Sequence, residues 1–345
     1  MQYRRLGDAG MKVSVISLGG WINYGEGKVA ADEARRVVIR AYENGINFFD
    51  IADVYGRGEA EKQMGAVLRS FPRHTLVIST KVFGQMSDDV NDRGLSRKHI
   101  TESIDKSLAR IGTDYVDIYF CHRPDSETPL IETIRTMDDL IKRGKILYWG
   151  TSEWRGGQIK QALDLCEKYN LNPPKTEQPQ YSMLYRDPVE KDVLPITVPG
   201  GIGLAVFSPL AQGMLTGKYD DGVPSDSRFA REGWAKERFI NETNVTKVKA
   251  LKAIADELDI TRSQLALAWV LRQPGVSSAI IGATRVPQID DNAKAADVTL
   301  SAEIQARIDS ILAGDIPTPK LAPKRAPKAT SKPAAKPAAK KATKK

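Results

Sequence analysis

The chain has 345 residues, 41% of them hydrophobic, and this length fits either two ordinary domains or one α/β barrel with insertions. No segment approaches the ~20 apolar residues that a membrane helix needs, which disfavours a membrane-spanning protein and predicts a soluble, cytoplasmic one. The two cysteines, Cys121 and Cys166, form no CxxC motif, so neither a disulfide framework nor a cysteine-rich metal site is predicted.

The positive charge is concentrated at one end of the chain. The formal net charge is +8, but residues 316–345 hold ten Lys or Arg residues and no acid, which leaves −2 for residues 1–315. The same segment has six prolines, eight alanines and few large apolar side chains, so it cannot bury enough surface to offset the entropy lost on ordering. We predict a folded domain over 1–315 and a disordered Lys/Ala/Pro-rich tail over 316–345.

Strand and helix patterns alternate along the domain. After a first strand at 13–19 and a Gly-rich loop, residues 31–44 show helical apolar spacing with two acids in the first turn. Further strands are predicted at 47–52, 75–81, 115–122, 146–152, 175–182, 202–209 and 277–283. The helices that follow them are predicted at 59–69, 96–111, 132–144, 158–169, 186–194, 244–257, 261–272, 286–296 and 301–312.

Eight strand–helix units in about 300 residues indicate a parallel sheet, and the count of eight favours one closed (β/α)8 barrel over two doubly wound halves. The carboxyl ends of all eight strands of a barrel meet at one face. Asp50 and Tyr55 follow the second strand, Lys81 ends the third and His122 ends the fourth. Four titratable groups of different type are therefore predicted to converge.

This predicted set suits protonation of an oxygen during reduction of a carbonyl. A lysine ammonium beside Tyr55 would lower the phenol pKa, and Asp50 would supply the counter-ion that buried Lys81 needs. Tyr55 would act as general acid while His122 hydrogen-bonds the carbonyl oxygen. The set has no hydride source, so a nicotinamide cofactor is implied. Each group alone also fits a structural role, and the convergence of all four favours function.

Other functions are supported by fewer residues. No strand–GxGxxG–helix fingerprint occurs, which disfavours a Rossmann site. The three histidines show no HxH or HExxH spacing, so no metal site is predicted. A glycosidase could pair Asp50 with Glu153 or Glu177. That assignment leaves Lys81 and Tyr55 without a role.

Seven segments follow the order seen in aldo-keto reductases, namely FFDIADVYGRGEAEKQMG, VISTKV, YFCHRPD, ILYWGTSEW, EQPQYSMLYRD, FSPLAQGMLTGKY and AIIGATRVPQIDDN. The resemblance covers residues 1–314 and is strongest to the branch that includes the β-subunits of voltage-gated potassium channels and their bacterial relatives. It implies a (β/α)8 barrel that binds NADPH without a Rossmann fold and reduces aldehydes and ketones. The positions that match the family's catalytic tetrad are Asp50, Tyr55, Lys81 and His122.

The resemblance also implies which residues hold the cofactor. Positions near the nicotinamide are matched by Trp21, Ser152, Gln178 and Phe207, of which Ser152 and Gln178 hold the carboxamide and Phe207 stacks on the ring. Positions that bind the pyrophosphate are matched by Ser208, Leu210, Lys218 and Arg228. Positions that grip the adenosine end are matched by Gly282, Thr284, Arg285, Gln288, Asp291 and Asn292. Arg285 with Thr284 suits a 2′-phosphate, which favours NADP(H) over NAD(H).

Three positions depart from the pattern of relatives. Glu153 stands where Asn or Arg is common, and an acid there is expected to weaken NADPH binding or alter turnover. Phe207 replaces Trp or Tyr. His122 stands where the animal channel β-subunits have Asn, which favours catalysis. The alternative function is a cofactor-occupied regulatory or scaffold protein whose turnover is incidental.

The tail resembles the Lys/Ala/Pro-rich tails of linker histones and bacterial nucleoid proteins. Lysines without interleaved aromatic residues can neutralise phosphates but cannot read bases, so the composition predicts non-specific, salt-sensitive binding of nucleic acid. A solvated solubility tail and contact with an anionic membrane fit the composition equally well. The sequence indicates neither an oligomeric state nor a channel partner.

Overall fold

The computed structural model describes residues 1–21 and 29–315, and the predicted disordered tail lies outside them. The strands are β1 (Tyr3–Arg5), β2 (Lys12–Ser14), β3 (Ile16–Gly19), β4 (Phe48–Asp50), β5 (Val77–Val82), β6 (Val116–Cys121), β7 (Ile146–Ser152), β8 (Thr176–Gln178), β9 (Gly203–Phe207) and β10 (Val276–Ile281). The helices are α1 (Ala31–Glu43), α2 (Glu59–Leu68), α3 (Arg97–Ile111), α4 (Leu130–Lys142), α5 (Gly156–Tyr169), α6 (Leu194–Thr197), α7 (Arg228–Arg231), α8 (Gly233–Phe239), α9 (Glu242–Glu257), α10 (Arg262–Leu271), α11 (Val286–Ala293) and α12 (Ala302–Ala313).

The strands β3 to β10 pair in chain order through parallel ladders, and β10 pairs back onto β3 to close the barrel. Helices surround this barrel, so the predicted (β/α)8 fold is confirmed. None of the described helices combines the length and the apolar character that crossing a membrane requires.

Two apolar cores hold the barrel together, because alternate side chains of a strand point to opposite sides of the wall. The inner core is closed at its lower end by the β1–β2 hairpin and comprises Leu6, Ala9, Val13, Phe48, Val77, Ile118, Phe120, Ala205 and Ile280. The larger outer core lies between the strands and the helices. Burial on both sides explains why the strands read as continuous apolar runs.

Local side-chain bonds fix where several helices begin. The residue before each of α3, α9, α10 and α12 accepts a hydrogen bond from the backbone N–H of the third helical residue, and these caps are Ser96, Asn241, Thr261 and Ser301. Such bonds satisfy an N–H group that has no partner within the helix.

The predicted first strand, 13–19, is divided in the structure. Its first part pairs antiparallel with β1, and only β3 enters the barrel. Ser14 causes the division, because its Oγ donates to the Ile16 oxygen (2.6 Å) and its backbone N–H donates to Asn47 Oδ1 (2.7 Å). Side-chain bonds of this kind turn the chain away from the hairpin without interrupting the apolar run, so the pattern alone could not show the break.

Two predicted helices also differ from the structure. Residues 186–194 were expected to form one helix, but a wide turn at Val189–Val193 leads into the short α6. The insertion after β9, for which no helix was predicted before 244, contains α7 and α8. The helix predicted at 286–296 ends at Ala293 and continues as a 3₁₀ turn, Lys294–Asp297.

Candidate active site

A buried ion pair lies inside the barrel at the carboxyl end of β4 and β5. Lys81 is fully buried and Asp50 is 3% exposed. The ammonium Nζ donates to Asp50 Oδ2 and to the Ile51 oxygen, each at 2.7 Å. The other carboxylate oxygen, Asp50 Oδ1, accepts from Ser79 Oγ at 2.6 Å and from Gln178 Nε2 at 3.0 Å. These bonds provide the partners that a buried pair needs if it is to remain charged.

The two aromatic groups of the predicted tetrad flank this pair. Lys81 Nζ lies 4.8 Å from the centroid of the Tyr55 ring. The His122 ring meets the Tyr55 ring edge-on, with centroids 5.7 Å apart and planes at 73°. The turn that presents Tyr55 includes Gly58 at φ +92°, a backbone conformation that favours glycine. The structure thus brings together all four residues that the sequence predicted to converge.

The surroundings set the protonation of each group. Burial lowers the pKa of Lys81, but attraction to Asp50 and Tyr55 outweighs burial and leaves that pKa above its ordinary value. Burial raises the pKa of Tyr55, and Lys81 opposes this only in part. The Lys81 ammonium thus lowers the phenol pKa as predicted, but loss of solvent is the larger effect and leaves that pKa above its usual value.

His122 is uncharged at neutral pH. Burial, followed by the positive charges of Lys81 and Arg123, holds its imidazole pKa well below the ordinary value. A neutral imidazole carries one N–H donor and one acceptor nitrogen. His122 can therefore donate a hydrogen bond to an oxygen placed beside Tyr55 without adding a charge.

The next two strands carry the residues predicted to hold an amide. Ser152 Oγ donates to the Gln178 backbone oxygen at 2.9 Å, and both residues are buried. Gln178 also bonds Asp50, so it links the proposed carboxamide position to the ion pair. Phe207 ends β9 and is partly exposed. Glu153, the departure from the family pattern, has φ +59° and accepts from the Gln180 backbone N–H at 2.7 Å.

The loop after β9 is tightly turned. Ser208 has φ +58°, and its Oγ accepts from Gln212 Nε2 at 2.6 Å. Gln212 in turn accepts a short hydrogen bond from Arg228 Nη1. Leu210 is partly exposed in the same loop. Of the four residues predicted to meet the pyrophosphate, Ser208 and Arg228 are thus linked through Gln212, and Leu210 lies in the same loop as Ser208.

Several cations lie close together near this segment. Loss of solvent, followed by the charge of Arg228, lowers the pKa of Lys218, and Arg231 and Arg285 add to the effect. Burial also lowers the pKa of Arg228. Positive groups whose pKa is lowered by burial and by neighbouring cations are suited to receive an anion with several charges. The donor set therefore fits the phosphates of a dinucleotide.

The predicted adenosine residues lie after β10 and on α11, and they are Gly282, Thr284, Arg285, Gln288, Asp291 and Asn292. The Thr284 N–H donates to Gln288 Oε1 at 2.7 Å, and Arg285 is exposed. Asp291 accepts from Gln264 Nε2 (2.8 Å) and from Thr261 Oγ1 (3.1 Å). Asp291 therefore also ties α11 to α10.

Trp21, which was predicted to lie near the nicotinamide, follows β3 and is 37% exposed. Its ring lies 5.9 Å from the ring of Trp234 on α8, measured between centroids. No pattern in the sequence singles out Trp234. No helix or strand was predicted for the part of the insertion that contains this residue, so no pattern placed it beside the strand ends.

A second group of buried acids lies on the outer side of the barrel wall, where no role was predicted. Asp53 is fully buried and accepts from Ser103 Oγ at 3.0 Å, and burial together with nearby Glu61 raises its pKa to about 7. Glu61 is also fully buried, and it accepts from Thr80 Oγ1 and Arg110 Nε, each at 2.5 Å. An acid on the apolar face of predicted helix 59–69 was the signal that could have revealed this group.

Comparison with known proteins agrees with this geometry. The model of the aldo/keto reductase family matches residues 15–313. A probable voltage-gated potassium channel subunit beta from Arabidopsis thaliana is 47% identical over 303 residues, which cover 86% of this chain and 92% of the relative. A protein of the same description from Oryza sativa subsp. japonica is 44% identical over 321 residues, or 90% of this chain and 97% of the relative.

A putative voltage-gated potassium channel subunit beta from Schizosaccharomyces pombe is 43% identical over 319 residues, which cover 90% of this chain and 93% of the relative. The family match spans the whole barrel that carries the buried ion pair. The chain belongs to the aldo/keto reductase family, whose members are generally NAD(P)H-dependent oxidoreductases.

Proposed function

We propose that this protein reduces small aldehydes or ketones to alcohols with NADPH and that Tyr55 is the general acid. The observation that carries the proposal is the buried Lys81–Asp50 pair, with the Tyr55 and His122 rings beside it. Bound NADPH would supply the hydride that adds to the carbonyl carbon. The remaining task for the protein is to deliver one proton to the carbonyl oxygen.

Four side chains divide this task. The Tyr55 hydroxyl gives its proton to the oxygen, and the O–H bond of the alcohol forms as the phenol O–H bond breaks. The Lys81 ammonium stabilises the phenolate that remains, while Asp50 keeps Lys81 charged and in place. The neutral His122 ring donates a hydrogen bond to the same carbonyl oxygen and stabilises the negative charge that develops on it.

The cation group after β9 and β10 supports NADP(H) as the cofactor. Lys218 and Arg228 would meet the pyrophosphate, and Arg285 with Thr284 would meet a 2′-phosphate. Ser152 and Gln178 would hold the carboxamide and Phe207 would stack on the nicotinamide. NADPH is expected to bind more tightly than NADH, and Arg285→Gln should reduce that preference, as measured by titration of cofactor fluorescence.

The test of activity is oxidation of NADPH, followed at 340 nm, with a panel of aromatic aldehydes and dicarbonyl compounds. We expect Tyr55→Phe to lower kcat by about 10² to 10⁴ because it removes only the transferable proton. Unchanged binding of NADPH would show that the variant is folded. Equal rates for the wild type and Tyr55→Phe on every substrate would contradict the proposal.

A second candidate is a cofactor-occupied regulatory subunit with incidental turnover. It is favoured by the relatives, which are described as potassium channel β-subunits at 43–47% identity. Tight NADPH binding with negligible turnover across the substrate panel would favour this second function. A cytoplasmic location is consistent with both candidates and stays a prediction.

The sequence of the tail supports a separate proposal, that residues 316–345 bind nucleic acid without sequence preference. Their ten cations and lack of acids would neutralise phosphates, so affinity should fall steeply with salt. Gel-shift titration of the full chain and of a 1–315 truncation tests this. Identical mobility of DNA with both proteins would contradict it.

A further inference from the structure

Arg123, a cation beside the proposed active site, has no role in the proton transfer. It follows His122 directly, is exposed, and its Nη1 donates a short hydrogen bond to the His122 backbone oxygen. The His122 N–H in turn donates to the Val82 oxygen at 2.9 Å, which fixes this segment at the end of β5. The guanidinium is therefore held next to the residue proposed to contact the carbonyl oxygen.

The charge of Arg123 reaches both aromatic members of the tetrad. Burial raises the pKa of Tyr55 and lowers that of His122, and Arg123 acts on each as a further, smaller influence that lowers the pKa. A ligand whose carbonyl lies between these two rings would thus lie in the field of the guanidinium. The charge of Arg123 is separate from the Lys81–Asp50 pair, in which the two charges balance.

Asp125, the acid two positions after Arg123, directs its oxygens to other donors. Asp125 is occupied, because it accepts from the Leu95 and Glu127 backbone N–H groups at 2.7 and 2.9 Å and from Thr128 Oγ1 at 2.8 Å. Within residues 1–21 and 29–315, Arg123 forms no ion pair. A guanidinium has five N–H donors, and a bond to one peptide oxygen leaves most of them available.

Arg123 is therefore an exposed cation beside the proposed catalytic rings. Lys81 and Asp50 cancel, and the His122 ring is neutral. Planar guanidinium groups bind carboxylates through two parallel hydrogen bonds, which makes Arg a suitable residue for recognising this group. Resting on the function proposed above, we infer that Arg123 selects carbonyl substrates that also carry a carboxylate.

A matched pair of substrates tests the inference. 4-Carboxybenzaldehyde and methyl 4-formylbenzoate have the same aldehyde and ring, but only the first is charged. We expect Arg123→Gln to lower the ratio of their kcat/KM values by about five- to tenfold, as suits a partly exposed charge-assisted pair. The wild-type ratio should also fall as salt is raised. A ratio that stays within about twofold of the wild type would overturn the inference.

Arg143→Gln is the matched control, because Arg143 is an exposed arginine just beyond α4, at the opposite end of the barrel from His122. It should leave the ratio unchanged.

If the wild type reduces neither aldehyde, the proposed function fails, and binding then decides the inference separately. Calorimetric titration with 4-(hydroxymethyl)benzoate should show about five- to tenfold weaker binding to Arg123→Gln. Equal binding to both proteins would overturn it.

Discussion

The two sides of the barrel wall treat buried acids differently. On the inner side, Asp50 has one cation of its own, Lys81, and two further hydrogen-bond donors. On the outer side, Arg110 donates a hydrogen bond to Glu61, and its charge has only a small influence on Asp53. Asp53 lies only three positions after Asp50, yet one acid is part of a balanced pair and the other is not.

This difference determines which buried acids can bind a proton near neutral pH. Burial and the charge of Glu61 raise the pKa of Asp53 to about 7. Burial likewise raises the pKa of Glu177, a fully buried outer acid, to about 8. The inner side instead keeps Lys81 charged through Asp50. A buried acid that has no cation of its own thus has a raised pKa. In the proposed catalytic pair, Lys81 and Asp50 instead balance each other's charge.

Lys81→Met should have the largest effect on this contrast. It leaves Asp50 buried without a cation, which costs about 3–5 kcal/mol of unfolding free energy, measured by urea denaturation. It should also lower kcat by about 10² or more. The double variant Asp50→Asn/Lys81→Met should recover part of the stability and none of the activity. A double variant no more stable than Lys81→Met would contradict the pairing.

Asp53→Asn should have the next largest effect and the opposite sign. Because the folded-state pKa of Asp53 is raised from 3.8 to about 7, the folded protein binds this proton more tightly than the unfolded chain does. Its contribution to stability is therefore lost as pH rises through this window, by up to about 1.4 kcal/mol per pH unit. We expect Asp53→Asn to be more stable than the wild type at pH 8 by about 1–3 kcal/mol.

Urea denaturation at pH 5, 6, 7 and 8 measures this difference. Asp114→Asn is the control, since Asp114 is an exposed acid just beyond α3, the helix that carries Ser103. A wild type and an Asp53→Asn variant with parallel stability curves from pH 5 to 8 would mean that Asp53 does not titrate there.

Glu153→Asn should have a smaller effect, on cofactor binding alone. Glu153 places a carboxylate beside Ser152 and Gln178, the proposed carboxamide site. Asn tolerates the observed φ of +59° and keeps an oxygen that can accept from Gln180. We expect the Kd of NADPH to fall by about two- to fivefold at low salt. A weaker affinity in Glu153→Asn would show that the carboxylate supports the site.

The protonation of the His122 ring should not change over the pH range in which an ordinary histidine titrates. Burial and nearby cations hold its pKa well below 6.5, so its imidazole resonances should stay constant from pH 6 to 8. The chain has three histidines, and His122→Asn assigns the relevant NMR signal by its loss. A midpoint near 6.5 would mean that the ring is more solvated than its position indicates.

The sequence was sufficient for the barrel and for the convergence of the tetrad, because both follow from strand period and strand ends. It could not reveal the protonation of Tyr55, since burial and the Lys81 charge oppose each other and only their three-dimensional balance decides the sign. Nor could it place Asp53 against Ser103 and Glu61, whose contacts depend on how two helices pack. The split at Ser14 was hidden for the same reason, because a side-chain bond left the apolar pattern intact.

The central claim is that Tyr55 completes a hydride transfer from NADPH to a carbonyl. It is tested most directly with NADPH that carries deuterium at both C4 positions, incubated with 4-nitrobenzaldehyde and analysed by mass spectrometry. The account predicts one deuterium at the alcohol carbon with the wild type, and with Tyr55→Phe a yield lower by about 10² or more. Equal yields from the two proteins, or an alcohol without deuterium, would contradict it.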